Sequence, residues 1–92
     1  MEIYSIYDEA VQTFGIPMFF YTGVEIKREL QRFVNKEPKE SIMQSYPQQF
    51  VLYKLGTWNH STGKMDLYEQ PMRLYTLDTL KEVEIPVLKE VE

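Results

Sequence analysis

The sequence predicts an α+β fold in which one small antiparallel sheet of about four strands, in ββαββ order, carries one main helix on one face. Two runs typical of strands precede the only stretch with helical periodicity, and two alternating runs follow it. The chain has 92 residues, of which 43% are apolar and 26% charged, and this composition favours a single folded domain over a disordered chain. We expect that domain to cover residues 1 to 80.

The first two strands are predicted from runs of β-branched and aromatic residues. Residues 2 to 7 (EIYSIY) are apolar on both sides, which is typical of a central strand. Residues 18 to 21 (MFFY) form a second run, and Pro17 stands at its start, where a missing N–H is tolerated. We expect the two strands to pair as a hairpin with a long loop.

The helix is predicted over residues 23 to 35 from its cap and its apolar spacing. Thr22 is followed three residues later by Glu25, the pattern of a capping box. The apolar stripe consists of Ile26, Leu30, Phe33 and Val34. Asn35 is expected to end the helix in the left-handed conformation, and Pro38 prevents its continuation. Residues 36 to 49 are predicted to form a loop with one short helical turn at residues 41 to 44.

The strongest strand signal lies at residues 50 to 58. Alternation places Val51, Tyr53 and Leu55 on one side, and Phe50, Leu52, Lys54 and Trp58 on the other. Gly56 is the expected site of a bulge. The polar segment Asn59 to Gly63 predicts a hairpin turn that leads to a strand at residues 64 to 69.

The C-terminal part of the chain is predicted to have less regular secondary structure. Pro71 interrupts the alternation, so Met72 to Leu77 is expected to form an edge strand or a separate short strand. Residues 81 to 92 form an acidic C-terminal tail, for which two alternatives stay open. The tail is either disordered or docks on a partner through its apolar residues.

The residue inventory argues against several chemistries. The absence of cysteine excludes disulfides and thiolate sites, and the four glycines are too scattered for a phosphate-binding loop. His60 is the single histidine and lies in a predicted turn without a recognisable catalytic partner. We therefore expect a protein that is not an enzyme and that needs no cofactor and no metal. The sequence also has no apolar run long enough for a membrane span.

One electrostatic feature points to nucleic acid. Arg28, Arg32 and Lys36 recur every four residues beside Lys27, so they predict a basic ridge on the helix of a chain whose net charge is -4. Lys54 and Trp58, both in the strand predicted at residues 50 to 58, complete the predicted nucleic-acid-binding set. Trp58 belongs to it because aromatic residues on strands can stack on unpaired bases. The alternatives are a solvated helix face for the ridge, and packing in the core or in a dimer interface for the aromatic residues.

Four stretches in order resemble the small nonstructural protein of gokushovirus-type microviruses, single-stranded DNA phages that include those of chlamydiae. They are Ile3 to Asp8 (IYSIYD), Phe14 to Phe20 (FGIPMFF), the helix that carries Arg28 and ends in Val34-Asn35, and the segment from Tyr46-Pro47 through Phe50 to Trp58 to Ser61-Thr62-Gly63. The resemblance covers about residues 1 to 70.

The resemblance implies a phage protein that is made in the cytoplasm of the infected bacterial host and is not part of the virion. It further implies a role in viral DNA replication or packaging. The leading hypothesis is direct binding of single-stranded DNA, or engagement of phage replication or capsid-assembly proteins. The rival hypothesis is a protein-only adaptor, a homo-oligomer and most simply a homodimer, whose acidity keeps it off DNA.

Overall fold

The computed structural model describes residues 1 to 82. Its strands are β1 (Glu2–Asp8), β2 (Thr13–Phe14), β3 (Met18–Phe20), β4 (Phe50–Asn59) and β5 (Lys64–Thr76). Its α-helices are α1 (Gly23–Val34) and the single turn α2 (Ile42–Ser45), and two 3₁₀ turns span Pro47–Gln49 and Leu77–Leu80. The α+β class with one main helix is confirmed. The predicted ββαββ order is not matched in full, because it did not include the short strand β2.

All strands form one curled antiparallel sheet. The order is β2-β1-β4-β5, and β3 joins β2 on the same edge of β1. β1 is therefore central, as its composition predicts, and Ile3, Tyr4 and Ser5 are all buried. The predicted hairpin between the first two runs is present as the pairing of β3 with the first half of β1.

One face of the sheet, which we call the helix face, carries the core. Ile26, Leu30 and Val34 of α1 are buried against it, as their spacing predicts. The sheet and the second 3₁₀ turn complete this core with Tyr4, Phe50, Leu52, Leu77 and Leu80. Thr22 caps α1 by accepting a hydrogen bond from the Glu25 N–H (3.2 Å), and the Glu25 carboxylate accepts from the Tyr21 N–H (3.1 Å).

Among residues 1 to 82, no helix lies on the opposite face, which we call the open face. Because residues opposite each other in an antiparallel pair share a face, Ile3, Ser5 and Tyr7 of β1 lie there with Tyr53 of β4. Trp58 was predicted on the side of Lys54, and that prediction is wrong. The register shifts between Lys54 and Gly56, so Trp58 lies on the open face with its ring centroid 6.5 Å from that of Phe19.

β5 runs through the proline that was expected to interrupt it. Among the described strands it pairs with β4 alone and is an edge strand. Tyr68 to Pro71 form an excursion opposite Leu55, where no N–H is required from Pro71. The prediction of a strand over Met72 to Leu77 is wrong at its end. Leu77 begins the second 3₁₀ turn and is fully buried.

The connection after α1 depends on Asn35. It has a φ of -95°, so the predicted left-handed terminus is wrong. Its side chain instead donates to the carbonyls of Gln31 (2.8 Å) and Leu80 (2.9 Å) and accepts from the Glu82 N–H (2.8 Å). These bonds hold the second 3₁₀ turn against the helix. The predicted tail at residues 81 to 92 falls outside the described residues from residue 83 onward.

Candidate nucleic-acid interface

Three aromatic rings form a cluster on the open face, which we call the aromatic patch. Tyr7 lies 4.6 Å from Phe14 and 5.8 Å from Tyr53, measured between ring centroids, and Phe14 lies 5.1 Å from Tyr53. Phe14 is 45% exposed, and the two tyrosines are half-buried. The patch therefore presents ring surface to solvent while its rings hold one another in place.

The turn between β1 and β2 places Phe14 in the patch. The Asp8 carboxylate accepts from the Ala10 N–H (2.9 Å), and Gln12 adopts a left-handed φ of 57°, so the chain reverses within four residues. β2 then pairs Phe14 directly opposite Tyr7. The hydroxyl of buried Ser5 donates to the Gly15 carbonyl (2.8 Å) and fixes the chain that follows.

A shallow groove of about 470 Å³ runs beside the patch. Its walls are the three aromatic rings and, from β5, Gln70, Pro71 and Arg73. Arg73 lies opposite Tyr53 in the sheet, so its guanidinium group shares the open face with the rings. Ring faces beside a guanidinium group suit a ligand that combines planar bases with phosphates.

The predicted basic ridge lies on the other side of the molecule. Lys27, Arg28, Arg32 and Lys36 are all exposed. The first three lie on α1 and point away from the sheet, because the opposite side of the helix is buried, whereas Lys36 lies beyond the end of α1. Arg32 forms an ion pair with Glu29 (2.9 Å), which neutralises part of the ridge.

Lys54 and Trp58 occupy two different places. Lys54 lies on the helix face, where its ammonium group is 3.6 Å from the Glu2 carboxylate and 5.9 Å from the centroid of the Tyr68 ring. Trp58 lies on the open face at the β1–β3 end, next to Phe19 and His60. The predicted residues therefore occupy α1 and the position just after it, and two separate positions on the sheet.

Two tyrosines on the helix face are held protonated. Burial raises the pKa of Tyr4, and the hydrogen bond that its hydroxyl donates to the Glu2 carboxylate raises it further. Burial also raises the pKa of Tyr75. Both tyrosines belong to the core side of the sheet, so these shifts concern stability rather than a binding surface.

The aromatic patch was not predicted from the sequence. Tyr7 and Tyr53 lie in runs that were predicted to be strands, and this was the available signal. Phe14 and Arg73 join them through the sheet register. The pairing of Phe14 with Tyr7 depends on the turn at Gln12, for which the sequence has no strong pattern.

Within residues 1 to 82, no helix is long and apolar enough to cross a membrane. The same residues contain no group of three or more histidine, aspartate or glutamate side chains placed to hold a metal ion.

Comparison with known proteins gives one match. The family model described as Phage ORF5 protein matches residues 1–80. No curated protein and no solved structure matches the chain. The family match spans all five strands, the main helix and the second 3₁₀ turn.

Proposed function

The chain belongs to the Phage ORF5 protein family, and on that premise we propose that it serves the phage by binding single-stranded DNA through the aromatic patch. The phage would be of the gokushovirus type, as the sequence resemblance implies. The protein acts in the cytoplasm of the infected host, outside the virion, during viral DNA replication or packaging. It is not an enzyme and uses no cofactor.

The observation that carries this proposal is the contact of Tyr7, Phe14 and Tyr53 beside Arg73 on the open face, which no helix of the described residues covers. Stacking of a base on an aromatic side chain contributes roughly 1 to 3 kcal/mol and tolerates any base. Single-stranded DNA offers such bases, whereas those of a duplex are stacked on one another. The patch therefore favours single strands without sequence preference.

Contacts between basic side chains and the phosphates of DNA supply the second contribution to the binding free energy. Arg73 is the charged side chain in the wall of the groove, and the basic ridge of Lys27, Arg28, Arg32 and Lys36 lies on the opposite side of the sheet. A strand bound at the patch meets Arg73 first, and only a longer strand reaches the ridge. Because the whole chain carries a net charge of -4, the affinity is expected to be modest and to fall as salt rises.

The test is a fluorescence anisotropy titration of a labelled single-stranded oligonucleotide with the purified protein, at low and at physiological salt. Wild type is expected to bind saturably and more weakly at the higher salt. Phe14→Ala combined with Tyr53→Ala is expected to weaken binding roughly tenfold or more, since it removes two stacking surfaces.

Two further variants sharpen the result. Tyr46→Ala removes a tyrosine that is 51% exposed and lies outside the patch, so it should bind like wild type. Arg28→Glu with Arg32→Glu reports whether the ridge contacts DNA. Absence of saturable binding at low salt, or equal affinity of the patch variant and wild type, would exclude this proposal. The protein-only adaptor would then be the better hypothesis.

A further inference from the structure

A second surface of the open face is apolar throughout, and we call it the apolar strip. It lies at the start of β1, whereas the aromatic patch lies at the end of that strand. The strip consists of Ile3, Ile16, Pro17, Phe19, Leu55, Met65 and Leu67, which line a groove of about 320 Å³. None of these side chains carries a charge or a hydrogen-bonding group.

The strip leaves much of its apolar surface in water. Ile16 is 86% exposed, Leu67 56%, Met65 54% and Phe19 39%. Together they expose on the order of 400 Å² of apolar side chain, an area usually associated with an interaction site in a small protein. Trp58, which lies beside Phe19 and opposite Met65, extends this surface at one end.

The charge distribution favours a second copy as the occupant. Two copies each carry a net charge of -4 and repel one another over most of their surface. The strip is uncharged, because Asp66 between Met65 and Leu67 points to the opposite face. In a twofold dimer the same patch of each copy faces its equivalent on the other copy. Two uncharged apolar patches can therefore pack together, whereas two patches of like charge repel each other.

The shape of the strip points to the same occupant. Ile16 projects at the rim of the groove with 86% of its surface exposed, and the recessed part of the groove is formed by buried Ile3 and half-buried Leu55. The strip therefore contains both a projecting aliphatic side chain and an aliphatic recess. In a twofold pair each copy offers its projection to the recess of the other.

We propose that two copies of this chain form a dimer through the apolar strip, with Ile16 of each copy in the groove of the other. The exposed area is about half of the roughly 800 Å² that each partner contributes to a standard interface. The dimer is therefore expected to dissociate in the micromolar range. This proposal does not depend on DNA binding, because the strip and the aromatic patch consist of different residues.

Sedimentation equilibrium over a range from low to high micromolar protein tests the dimer. Wild type should approach twice the chain mass of 11.0 kDa at the highest concentration. Ile16→Glu and Leu67→Lys should each stay monomeric, since each places a charge in the contact. The matched control is Val24→Glu, since Val24 is 65% exposed on α1 and lies outside the strip, so this variant should dimerise like wild type.

Mixing the two strip variants tests the pairing itself. In a mixed dimer the glutamate at position 16 of one copy contacts the lysine at position 67 of the other copy. The second contact joins Ile16 and Leu67, as in wild type. The mixture should therefore recover the dimer mass. Thermal melting of each variant alone should match wild type at a protein concentration low enough for wild type to be monomeric, because both sites are exposed. A monomeric wild type at the highest concentration, dimeric strip variants, or a mixture that stays monomeric would overturn the proposal.

Discussion

Asn35 shows how one side chain joins two parts of the chain that are 45 residues apart in sequence. Its amide group bonds to two carbonyls and one N–H, and the partners belong to α1 and to the end of the second 3₁₀ turn. The prediction of a left-handed helix end used the backbone preference of asparagine. It was wrong because the side chain finds better partners in the folded chain than the local turn offers.

Asn35→Ala should lower the free energy of unfolding by about 1 to 3 kcal/mol, because the carbonyl of Leu80 and the N–H of Glu82 lose their partner. Urea unfolding followed by Trp58 fluorescence measures this change. Gln31→Ala is the matched control, since only the backbone of Gln31 bonds to Asn35, and its effect should stay within about 0.5 kcal/mol. Equal stability of Asn35→Ala and wild type would show that these bonds contribute nothing net.

Tyr4 makes stability depend on alkaline pH. Its pKa is raised above the ordinary 10.0 by burial and by its hydrogen bond to Glu2, so the unfolded chain loses this proton at a lower pH than the folded chain. The stabilisation is complete below pH 10.0 and is lost as pH rises through the folded value. Stability should fall with a slope of up to about 1.4 kcal/mol per pH unit for this group.

Urea unfolding between neutral pH and pH values above 10.0 checks this prediction. Tyr4→Phe should show a smaller alkaline loss than wild type. The alkaline loss of stability that remains in Tyr4→Phe belongs in part to Tyr75, whose pKa is also raised by burial. The same slope in wild type and Tyr4→Phe would contradict the assignment to Tyr4.

Among the elements, the β4–β5 hairpin shows why local patterns succeed or fail. The turn from Asn59 to Gly63 was predicted correctly, because the Asn59 side chain accepts from the N–H groups of Ser61 (2.9 Å) and Thr62 (3.3 Å) and Gly63 has a φ of 70°. Helix α1 was predicted for the same reason, since its cap and its stripe are local. The side occupied by Trp58 was predicted wrongly, because the alternation was continued through the bulge expected at Gly56, and the register shift between Lys54 and Gly56 reverses it.

Gly56 permits that bulge. A Cβ atom at this position would lie 2.2 Å from the Asp66 carbonyl oxygen and 2.7 Å from the Leu67 Cα, so any side chain displaces β5. Gly56→Ala should lower the free energy of unfolding by more than about 2 kcal/mol. Thermal and urea unfolding measure the loss.

Gly63→Ala provides the comparison for Gly56→Ala. It has a left-handed φ but open space around it, so its cost should be about 1 kcal/mol. If both substitutions cost the same, the contact with β5 is not what requires glycine at position 56.

At the scale of the whole molecule, the sequence predicted the class and the main helix, but it did not predict the aromatic patch. The second 3₁₀ turn was also missed, because Leu77 and Leu80 are only two apolar residues in a polar segment and their burial depends on α1. Lys27, Arg28 and Arg32 of the basic ridge lie on α1 and Lys36 lies beyond its end, and the role of the ridge in binding stays a prediction. Surfaces that depend on register are the part that local patterns cannot supply.

Removal of residues 83 to 92 tests the division between domain and tail. The buried apolar side chains of the described residues all lie between positions 3 and 80, so the shortened chain should keep its melting temperature within about 4 °C. The deletion removes three glutamates and one lysine, which changes the net charge from -4 to -2. Affinity for single-stranded DNA at low salt should therefore rise. A large drop in melting temperature would place these residues in the fold.

Both edges of the sheet contain a proline. Pro17 directly precedes β3 on one edge, and Pro71 lies in the excursion of β5 on the other. An unbroken edge offers a row of free N–H and C=O groups on which further chains can add as strands, and this is how fibrils grow. Here each proline removes one backbone N–H donor at its edge, and the chain changes direction at that point. An added strand therefore cannot form a continuous ladder of hydrogen bonds. The two prolines therefore oppose the addition of further strands at the edges that the described residues form.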